Sequence, residues 1–176
     1  YWNHQIKKVL VYSLVGCLSV PNPINANIIS IDTTRTNEKL GCLNSTNCSS
    51  TSLDRTENGQ TPIVNISKPN TAGLSHNVFS KYNVDANGVL INNDTNMGIS
   101  QVEKHRYLKN PNLQDQTASK ILFSVSGTGK SRIEGYTEIV GDSANLMVSN
   151  PNGIYINGAG FINVPTLGLT TGTITD

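Results

Sequence analysis

The stretch YTEIVGDSANLMVSNPNGIYINGAGFINVPTLGLTTG, residues 136–172, decides the fold that we predict for this chain. Short runs of β-branched and aliphatic residues recur in it, and each run alternates apolar with polar side chains. Asparagine, glycine and proline close the runs, as at residues 150–153 (NPNG) and 157–160 (NGAG). Such alternation between breakers is typical of half-buried β-strands. The stretch therefore predicts short strands connected by tight turns.

The same pattern extends over most of the chain. The runs lie at residues 27–32, 63–66, 89–91, 121–125, 136–140, 146–148, 154–156, 161–164 and 167–170. Segment 33–61 is polar and rich in turn residues, and we expect it to be an irregular excursion. Residues 101–113 would form one helical turn at most before Pro111 ends it. No segment keeps an apolar stripe of helical spacing for three turns, so we predict an all-β domain.

Two all-β architectures use strands of this length. Antiparallel hairpins would pair neighbouring strands directly, whereas a parallel β-helix would stack each strand on one about 20 residues further along the chain. The spacing of the strands fits both. The abundance of asparagine favours the β-helix, because Asn tolerates the left-handed conformation and hydrogen-bonds its own backbone at coil corners.

Composition restricts the function. Thirteen Lys and Arg residues against twelve Asp and Glu residues leave a formal net charge of +1, and charged residues make up 14% of the chain. Such a chain has no strong basic field to hold nucleic acid. Its neutral polar residues suit turns between strands. The composition therefore disfavours a nucleic-acid-binding module, a helical bundle and a disordered tail, and it fits an extracellular all-β protein.

Residues 1–26 are predicted to be the C-terminal part of a secretory signal peptide. Two lysines precede the apolar run 9–20, which is too short to span a bilayer, since a membrane helix needs about 20 residues. Ala26 offers a small residue for cleavage. A lipoprotein signal ending at Cys17 and a buried strand of the folded domain are the alternatives. We expect the mature domain to span residues 27–176.

Two cysteines remain once the leader is removed. Cys42 and Cys48 lie in a Ser/Thr/Asn-rich stretch, and in an oxidising compartment we expect them to form a disulfide. So short a loop closure stabilises a protein by about 2 kcal/mol, which pins a loop without organising a fold. Two thiols without a neighbouring histidine are a poor metal site, so we expect no metal here.

Several blocks of the sequence resemble one family in the same order along the chain. They lie at residues 66–70, 73–77, 82–84, 88–93, 110–113, 135–141, 150–154, 158–163 and 166–172. Together they resemble the amino-terminal secretion domain of two-partner-secreted exoproteins, which include filamentous haemagglutinin-like adhesins, haemolysins and contact-dependent growth-inhibition toxins. The resemblance extends over residues 63–172. The chain departs from the family pattern in the length of segment 33–61 and in Gly168.

The resemblance implies a right-handed parallel β-helix with an N-terminal cap and small β elements outside the helix. It also implies that the periplasmic domains of a cognate outer-membrane barrel transporter recognise the domain and start export of a much larger polypeptide. The polypeptide would reach the cell surface or the medium of a Gram-negative bacterium. The complete protein would be a growth-inhibition toxin or a haemagglutinin-type adhesin, with a haemolysin as the alternative. The last residues, 173–176, are strand-like, which leads us to expect a fragment of that polypeptide.

Two NPN motifs are the candidate site for transporter recognition. The first Asn of each can cap a turn, the Pro fixes φ at about −65°, and the second Asn tolerates a positive φ. The candidate residues are Asn110, Pro111, Asn112, Leu113, Asn150, Pro151, Asn152, Gly153 and Ile154. They are either docking determinants or corner turns whose loss would misfold the domain. In the docking interpretation, Asn112→Ala would reduce export and change stability by less than about 1 kcal/mol.

Two features that suggest chemistry are better explained as structure. His76 has no partner at ligand or catalytic spacing, so we expect a hydrogen-bonded histidine in a turn. Residues 124–131 (SVSGTGKS) approach the phosphate-binding pattern, but Ser124 stands where the first glycine is required and no helix signal follows. A Gly-rich turn between strands explains this segment.

Other functions find little support in the residues. An autonomous adhesin or carbohydrate-binding module would need exposed aromatic side chains, and the single tryptophan, Trp2, lies in the predicted leader. A β-helical enzyme would need clustered charges, whereas Glu134, Glu138 and Asp142 look scattered. We therefore expect a monomeric secretion domain that is not an enzyme and that binds no cofactor, nucleic acid or small molecule.

Overall fold

The computed structural model describes residues 29–31 and 51–174, and in these residues it contains β-strands and no α-helix. The strands are β1 (Ile29–Ile31), β2 (Ser52–Arg55), β3 (Pro62–Asn65), β4 (Leu74–Tyr82), β5 (Val89–Asn93), β6 (Gly98–Ile99), β7 (Arg106–Tyr107), β8 (Lys120–Val125), β9 (Ser131–Ile133), β10 (Tyr136–Gly141), β11 (Asn145–Ser149), β12 (Ile154–Ile156), β13 (Gly160–Ile162) and β14 (Leu167–Thr170). The all-β prediction is confirmed. The predicted leader and the Cys42–Cys48 pair lie outside the described residues. A helix able to cross a membrane is not found in the described part of the chain.

From β3 onward, apart from the β6–β7 hairpin, successive strands wind around three faces instead of pairing with their neighbours in sequence. Strands β4, β8, β11 and β14 pair in parallel on the first face. Strands β3, β5, β10 and β13 do the same on the second face. The third face is narrow, with β9 beside β12 and a single parallel bridge from Val84 to Ile133. This is the predicted parallel β-helix, with the right-handed winding that parallel crossovers adopt.

The register gives the length of a coil. Leu146 pairs with Leu167, 21 residues further along the chain, and Lys120 pairs with Asn145, 25 residues further. Leu74 pairs with Lys120, 46 residues further along the chain, because the chain leaves the coil between β5 and β8. There β6 and β7 form an antiparallel hairpin. The predicted small β elements outside the helix are confirmed.

Inward-facing side chains of successive coils stack on one another. Val64, Ile91 and Ile139 form one such column and are each fully buried. Phe79, Tyr82 and Phe123 fill the first two coils, with ring centroids 4.8–5.3 Å apart in tilted and edge-on contacts. Aromatic pairs favour these geometries. Burial raises the pKa of the Tyr82 phenol above its ordinary value.

Two antiparallel strands cap the first coil. Strand β1 pairs with β4 at the edge of the first sheet, and β2 pairs with β3 at the edge of the second. A cap of this kind covers strand edges that would otherwise pair with other chains. Strand β2 lies within segment 33–61, so the prediction that this whole segment is irregular is wrong. Its sequence, SLDR, has no apolar face, and pairing with β3 holds it in place.

The sequence of the longest strand, β4 (LSHNVFSKY), does not alternate apolar with polar residues either. Ser75, His76 and Asn77 are consecutive and all buried, so both faces of the strand are covered and polar side chains occupy interior positions. The helical turn expected within residues 101–113 is absent. That segment contains β7 and a positive φ of 55° at Lys104, because pairing with β6 replaces helical hydrogen bonds.

Candidate functional site

The two NPN motifs share one local geometry at different corners. In each, the side-chain Oδ1 of the first Asn accepts the backbone N–H of the second Asn. The distance is 2.8 Å from Asn112 N to Asn110 Oδ1, and 2.9 Å from Asn152 N to Asn150 Oδ1. This side-chain turn closes the chain without help from the rest of the coil. In the second motif, Gly153 N also donates to Asn150 O at 3.0 Å.

The first Asn of each motif also ties neighbouring segments together. Asn110 Nδ2 donates to the carbonyls of Ile66 at 3.0 Å and Asn92 at 2.8 Å. Asn150 Nδ2 donates to the carbonyl of Gly129 at 3.0 Å and to Ser131 Oγ at 2.9 Å. Both asparagines are buried. Each carboxamide therefore uses its donors and its acceptor inside the protein.

The second Asn differs between the motifs. Asn112 is buried, and its Nδ2 donates to the carbonyls of Asn65 at 3.1 Å and Ile66 at 3.3 Å. Asn152 is exposed, and its Nδ2 donates to Gly127 O at 2.6 Å. The second Asn is thus buried in the first motif and exposed in the second.

The left-handed backbone lies next to the second Asn and not at it. The positive φ values occur at Gln114, with φ 56°, and at Gly153, with φ 108°. The side-chain turn places Asn112 and Asn152 outside the left-handed region, so the chain reverses its twist one or two residues later. Gly153 adopts this conformation at little cost, since it has no Cβ.

Access separates the nine candidate residues into two groups. The buried ones are Asn110, Asn112, Leu113 and Asn150. The accessible ones are the exposed Pro111, Pro151 and Asn152 and the half-buried Gly153 and Ile154. A partner protein can therefore touch the motifs chiefly through their prolines and through the second half of NPNGI.

Two further asparagines at the end of β5 have similar roles. Asn92 Nδ2 donates to Asn65 Oδ1 at 2.8 Å, which forms a two-rung ladder between β3 and β5. Asn93 Nδ2 donates to the carbonyls of Ala118 and Asp142, and its Oδ1 accepts the Ala118 N–H. The only sequence signal for them is the Asn pair that closes the run 89–91.

A buried polar cluster joins the cap to the first coil. Asn77 Oδ1 accepts Thr51 Oγ1 at 2.6 Å and the Ser67 N–H at 2.9 Å. Ser75 Oγ donates to Ser67 O at 2.7 Å. All four residues are buried, and buried polar groups stabilise a fold only when they are paired in this way. The cluster is therefore structural.

His76 lies in β4 and not in a turn, so that part of the prediction is wrong. Its Nε2 is 2.8 Å from Ser124 Oγ in the neighbouring strand β8, a contact that links two coils. Residues 126–130 connect β8 to β9, as predicted for a Gly-rich turn. Within residues 29–31 and 51–174, three or more His, Cys, Asp or Glu side chains never come together as a metal site.

A buried carboxylate fastens the β6–β7 hairpin to the outer face of the second sheet. Glu138 accepts the backbone N–H groups of Gln101 at 2.5 Å and Val102 at 3.2 Å. Tyr107 Oη donates to Asp94 Oδ2 at 2.8 Å. Burial and the Asp94 carboxylate raise the pKa of the Tyr107 phenol. Glu138, which looks like one of several scattered acidic residues in the sequence, is therefore an anchor for the hairpin.

Comparison with known proteins identifies the family. The family model described as TPS secretion domain matches residues 42–176. The chain is 44% identical over 124 residues to "16S rRNA endonuclease CdiA" of Enterobacter cloacae, which covers 69% of this chain and 4% of that protein. It is 46% identical over 111 residues to "Filamentous hemagglutinin" of Bordetella pertussis, and the alignment covers 63% of this chain and 3% of that protein. It is 41% identical over 115 residues to "Hemolysin" of Proteus mirabilis, and the alignment covers 65% of this chain and 7% of that protein.

The fold agrees with a solved structure. The crystal structure of the filamentous hemagglutinin secretion domain superimposes with a TM-score of 0.68 and 41% identity, over 73% of this chain and 42% of that chain. The chain spans only 3–7% of the length of the three relatives. Exoproteins of this kind act with a partner transporter and reach the cell surface or medium of Gram-negative bacteria. The chain therefore belongs to the family of TPS secretion domains, which direct two-partner-secreted exoproteins to export.

Proposed function

We propose that this domain is the export address of a much longer exoprotein and that the periplasmic domains of its cognate outer-membrane transporter recognise it. The observation that carries this function is the family match over residues 42–176. Relatives named as endonuclease, hemagglutinin and hemolysin share the domain, although it is only 3–7% of their length. A segment common to proteins with such different names serves what they have in common, which is their export.

Recognition would use the groups that remain accessible on a rigid coil. Among the described strands, β2 is the outermost of the second sheet, and an extended segment of a partner can pair with such an edge. The exposed turns add further hydrogen-bonding groups. The contact must be transient, because the transporter has to pass the polypeptide onward. We therefore expect a Kd in the micromolar range, which corresponds to about −8 kcal/mol.

The NPN motifs divide between structure and recognition in this function. Asn110, Asn112 and Asn150 use their carboxamides for internal hydrogen bonds, so their replacement costs stability before it affects recognition. Pro151 and Asn152 are exposed and remain as direct contacts for the transporter. The motifs are then corner turns first and docking elements second.

The activity of the complete protein would lie outside this domain. We infer a growth-inhibition toxin or a haemagglutinin-type adhesin, since relatives of both kinds carry the domain. The matched part of each CdiA relative is 4% of that protein. The domain itself would act as a monomer, without a catalytic step and without a cofactor or small-molecule ligand.

Isothermal titration calorimetry between this chain and the purified periplasmic region of its transporter tests the proposed function. We expect saturable binding with a Kd of about 1–100 μM. A chain carrying Leu146→Asp is the control, because Leu146 is buried in the coil and a charge there disrupts the fold. Equal heats for the wild-type chain and this variant, or no binding by the wild type well above that concentration, would contradict recognition of the folded domain.

A further inference from the structure

The hairpin outside the coil is unusually apolar at its surface. Residues 97–109 carry four of the nine large apolar side chains that are exposed in the described residues. Met97, Ile99 and Leu108 are 62–67% exposed, and Val102 is 43% exposed. A cluster of exposed apolar side chains of this kind is typical of an interaction site.

The same hairpin concentrates positive charge. It carries Lys104, Arg106 and Lys109 against Glu103, a net charge of +2, although the whole chain carries only +1. The three cations are exposed. Within the described part of the chain, none of them lies within salt-bridge distance of a carboxylate, and the ion pair found there joins Arg132 to Glu134. These cations are therefore available to a partner.

The hairpin is held rigidly in spite of this exposure. Its backbone donates to the buried Glu138 carboxylate, and Tyr107 packs with Ile63, Leu90 and Val140 on the outer face of the second sheet. A surface fixed in this way loses little conformational entropy on binding, which favours affinity. The exposed side chains are not needed for that packing, so their exposure calls for another explanation.

A groove runs between the hairpin and the edge of the second sheet. It has a volume of about 800 Å3 and is lined by Met97, Ile99 and Leu108 on the hairpin side. Asp54, Arg55 and Glu57 line the opposite side, and Arg106 lies on the hairpin side, so the charges in the lining balance. The apolar side chains thus line a concave surface, and the excess of positive charge lies on the hairpin beside it.

Building on the proposed function, we propose that this groove and the basic hairpin beside it are the docking site for the transporter's periplasmic region. The occupant is an apolar segment of that region with carboxylates on the side that faces the hairpin. Apolar contact in the groove supplies affinity, and pairing with Lys104, Arg106 and Lys109 selects an acidic partner and speeds association. A concave groove fits a protein segment, whereas an anionic lipid surface is flat and leaves it unfilled.

Binding of four variants to the periplasmic region tests this docking site. Met97→Ser/Leu108→Ser removes apolar contacts, and Arg106→Glu/Lys109→Glu reverses the charge. Their matched controls are Met147→Ser, at an exposed methionine of β11, and Lys81→Glu, at an exposed lysine of β4. We expect each hairpin variant to bind about tenfold more weakly than the wild type, and each control to bind like the wild type.

Salt and thermal unfolding sharpen the comparison. Raising the salt concentration from about 50 to about 500 mM should weaken binding of the wild-type chain, and it should weaken binding of the charge-reversed chain less. The melting temperature of every variant should match that of the wild type, since the changed side chains are exposed. Loss of binding that accompanies loss of folding in the hairpin variants would count against the docking site.

The outcomes separate this inference from the proposed function. If the wild type binds and both hairpin variants bind equally well, the docking site is wrong and recognition by the transporter stands. If the wild type itself does not bind, both fail. If the variants lose binding to vesicles of phosphatidylglycerol but keep their affinity for the periplasmic region, the hairpin serves a membrane, and the docking site is wrong.

Discussion

The carboxylate of Glu138 accepts the backbone N–H of Gln101 at 2.5 Å, and this contact joins the hairpin to the third coil of the β-helix. Glu138 lies in β10 and Gln101 in the excursion between β5 and β8, so the bond connects segments 37 residues apart. The same carboxylate also accepts the N–H of Val102. Together with the packing of Tyr107, this buried side chain fixes the proposed docking surface on the coil.

Glu138→Gln should loosen the hairpin. A carboxamide offers one acceptor oxygen where the carboxylate offers two, so one of the two backbone donors loses its partner, at a cost of about 1–3 kcal/mol. Urea denaturation and hydrogen exchange at the Gln101 and Val102 amides measure the effect. Glu134→Gln is the control, because its ion pair with Arg132 is exposed and is worth less than about 1 kcal/mol. Equal losses in the two variants would show that Glu138 is not an anchor.

Asn112→Ala should destabilise the domain by about 2 kcal/mol, because the carbonyls of Asn65 and Ile66 lose a buried donor. The burial of Asn112 thus replaces the expectation, drawn from the motif alone, that this change leaves stability nearly intact. Chemical denaturation measures the free energy of unfolding. A loss below about 0.5 kcal/mol, combined with lost export, would restore Asn112 as a docking determinant.

Asn152→Ala should have the opposite profile. Asn152 is exposed and donates to Gly127, so its loss should change stability by less than about 1 kcal/mol. Affinity for the periplasmic region should fall if this turn touches the transporter, as proposed. Comparison with Asn112→Ala in the same titration separates the two roles. Unchanged affinity for the Asn152 variant would confine the second motif to structure.

Gly88→Ala should destabilise the coil by at least about 2 kcal/mol. Gly88 has a φ of 72°, and a Cβ there would run into the Tyr136 ring. An L-residue pays about 1–2 kcal/mol for the left-handed conformation, and the clash adds to this. Gly129→Ala is the matched control, because a Cβ there has no neighbour within 4 Å. Thermal unfolding compares the two, and equal melting temperatures would contradict the assignment.

The stability of the domain should fall as the pH rises above 10. Burial raises the pKa of the Tyr82 phenol above its ordinary value of 10.0, so the folded state keeps a proton that the unfolded state loses. The protonated Tyr82 phenol therefore contributes its full stabilisation of the folded state below pH 10, and this stabilisation disappears as the pH approaches the folded-state pKa. Tyr82→Phe should reduce the alkaline loss measured by urea denaturation, whereas Tyr155→Phe, at an exposed ring, should leave it. If the free energy of unfolding falls equally with pH in the wild type and both variants, the Tyr82 phenol is not the cause of the alkaline loss.

Most of the coil could be predicted from short-range pattern. Strands β11 and β14 have apolar residues at every second position, and in β11 Leu146 and Val148 are buried in the bore whereas Met147 is exposed. Turn residues close each of them, so their bounds were predicted to within a residue or two. The pairing of strands was left open by the residues, because parallel and antiparallel neighbours bury the same faces.

Strands without an alternating apolar pattern could not be predicted. Strand β4 buries Ser75, His76 and Asn77 in contacts with Ser67 and Ser124, and no local rule anticipates a polar interior. Strand β2 exists because β3 is beside it. The role of Glu138 depends on a hairpin that folds back from a different part of the chain.

For the candidate site, too, the sequence predicts one part and only the tertiary structure decides the other. The NPN motifs were recognisable from their residue types, since a short side chain that bonds its own backbone is a local property. Which of those residues a partner can reach was not local, because Asn112 is covered by the carbonyls of β3 and its neighbour and Asn152 is not.

From residues 51 to 174, the amino-acid sequence alone determined that short strands and tight turns would form and where most of them begin and end, because alternation and turn chemistry act over a few residues. The tertiary structure decided that these strands stack in parallel, that polar side chains fill part of the interior, and that a basic, apolar hairpin stands outside the coil. The parallel stacking arises from contacts between residues 20 to 50 positions apart, and the hairpin is attached to the coil by Glu138, which lies 37 residues from Gln101. Only the folded chain brings such residues together.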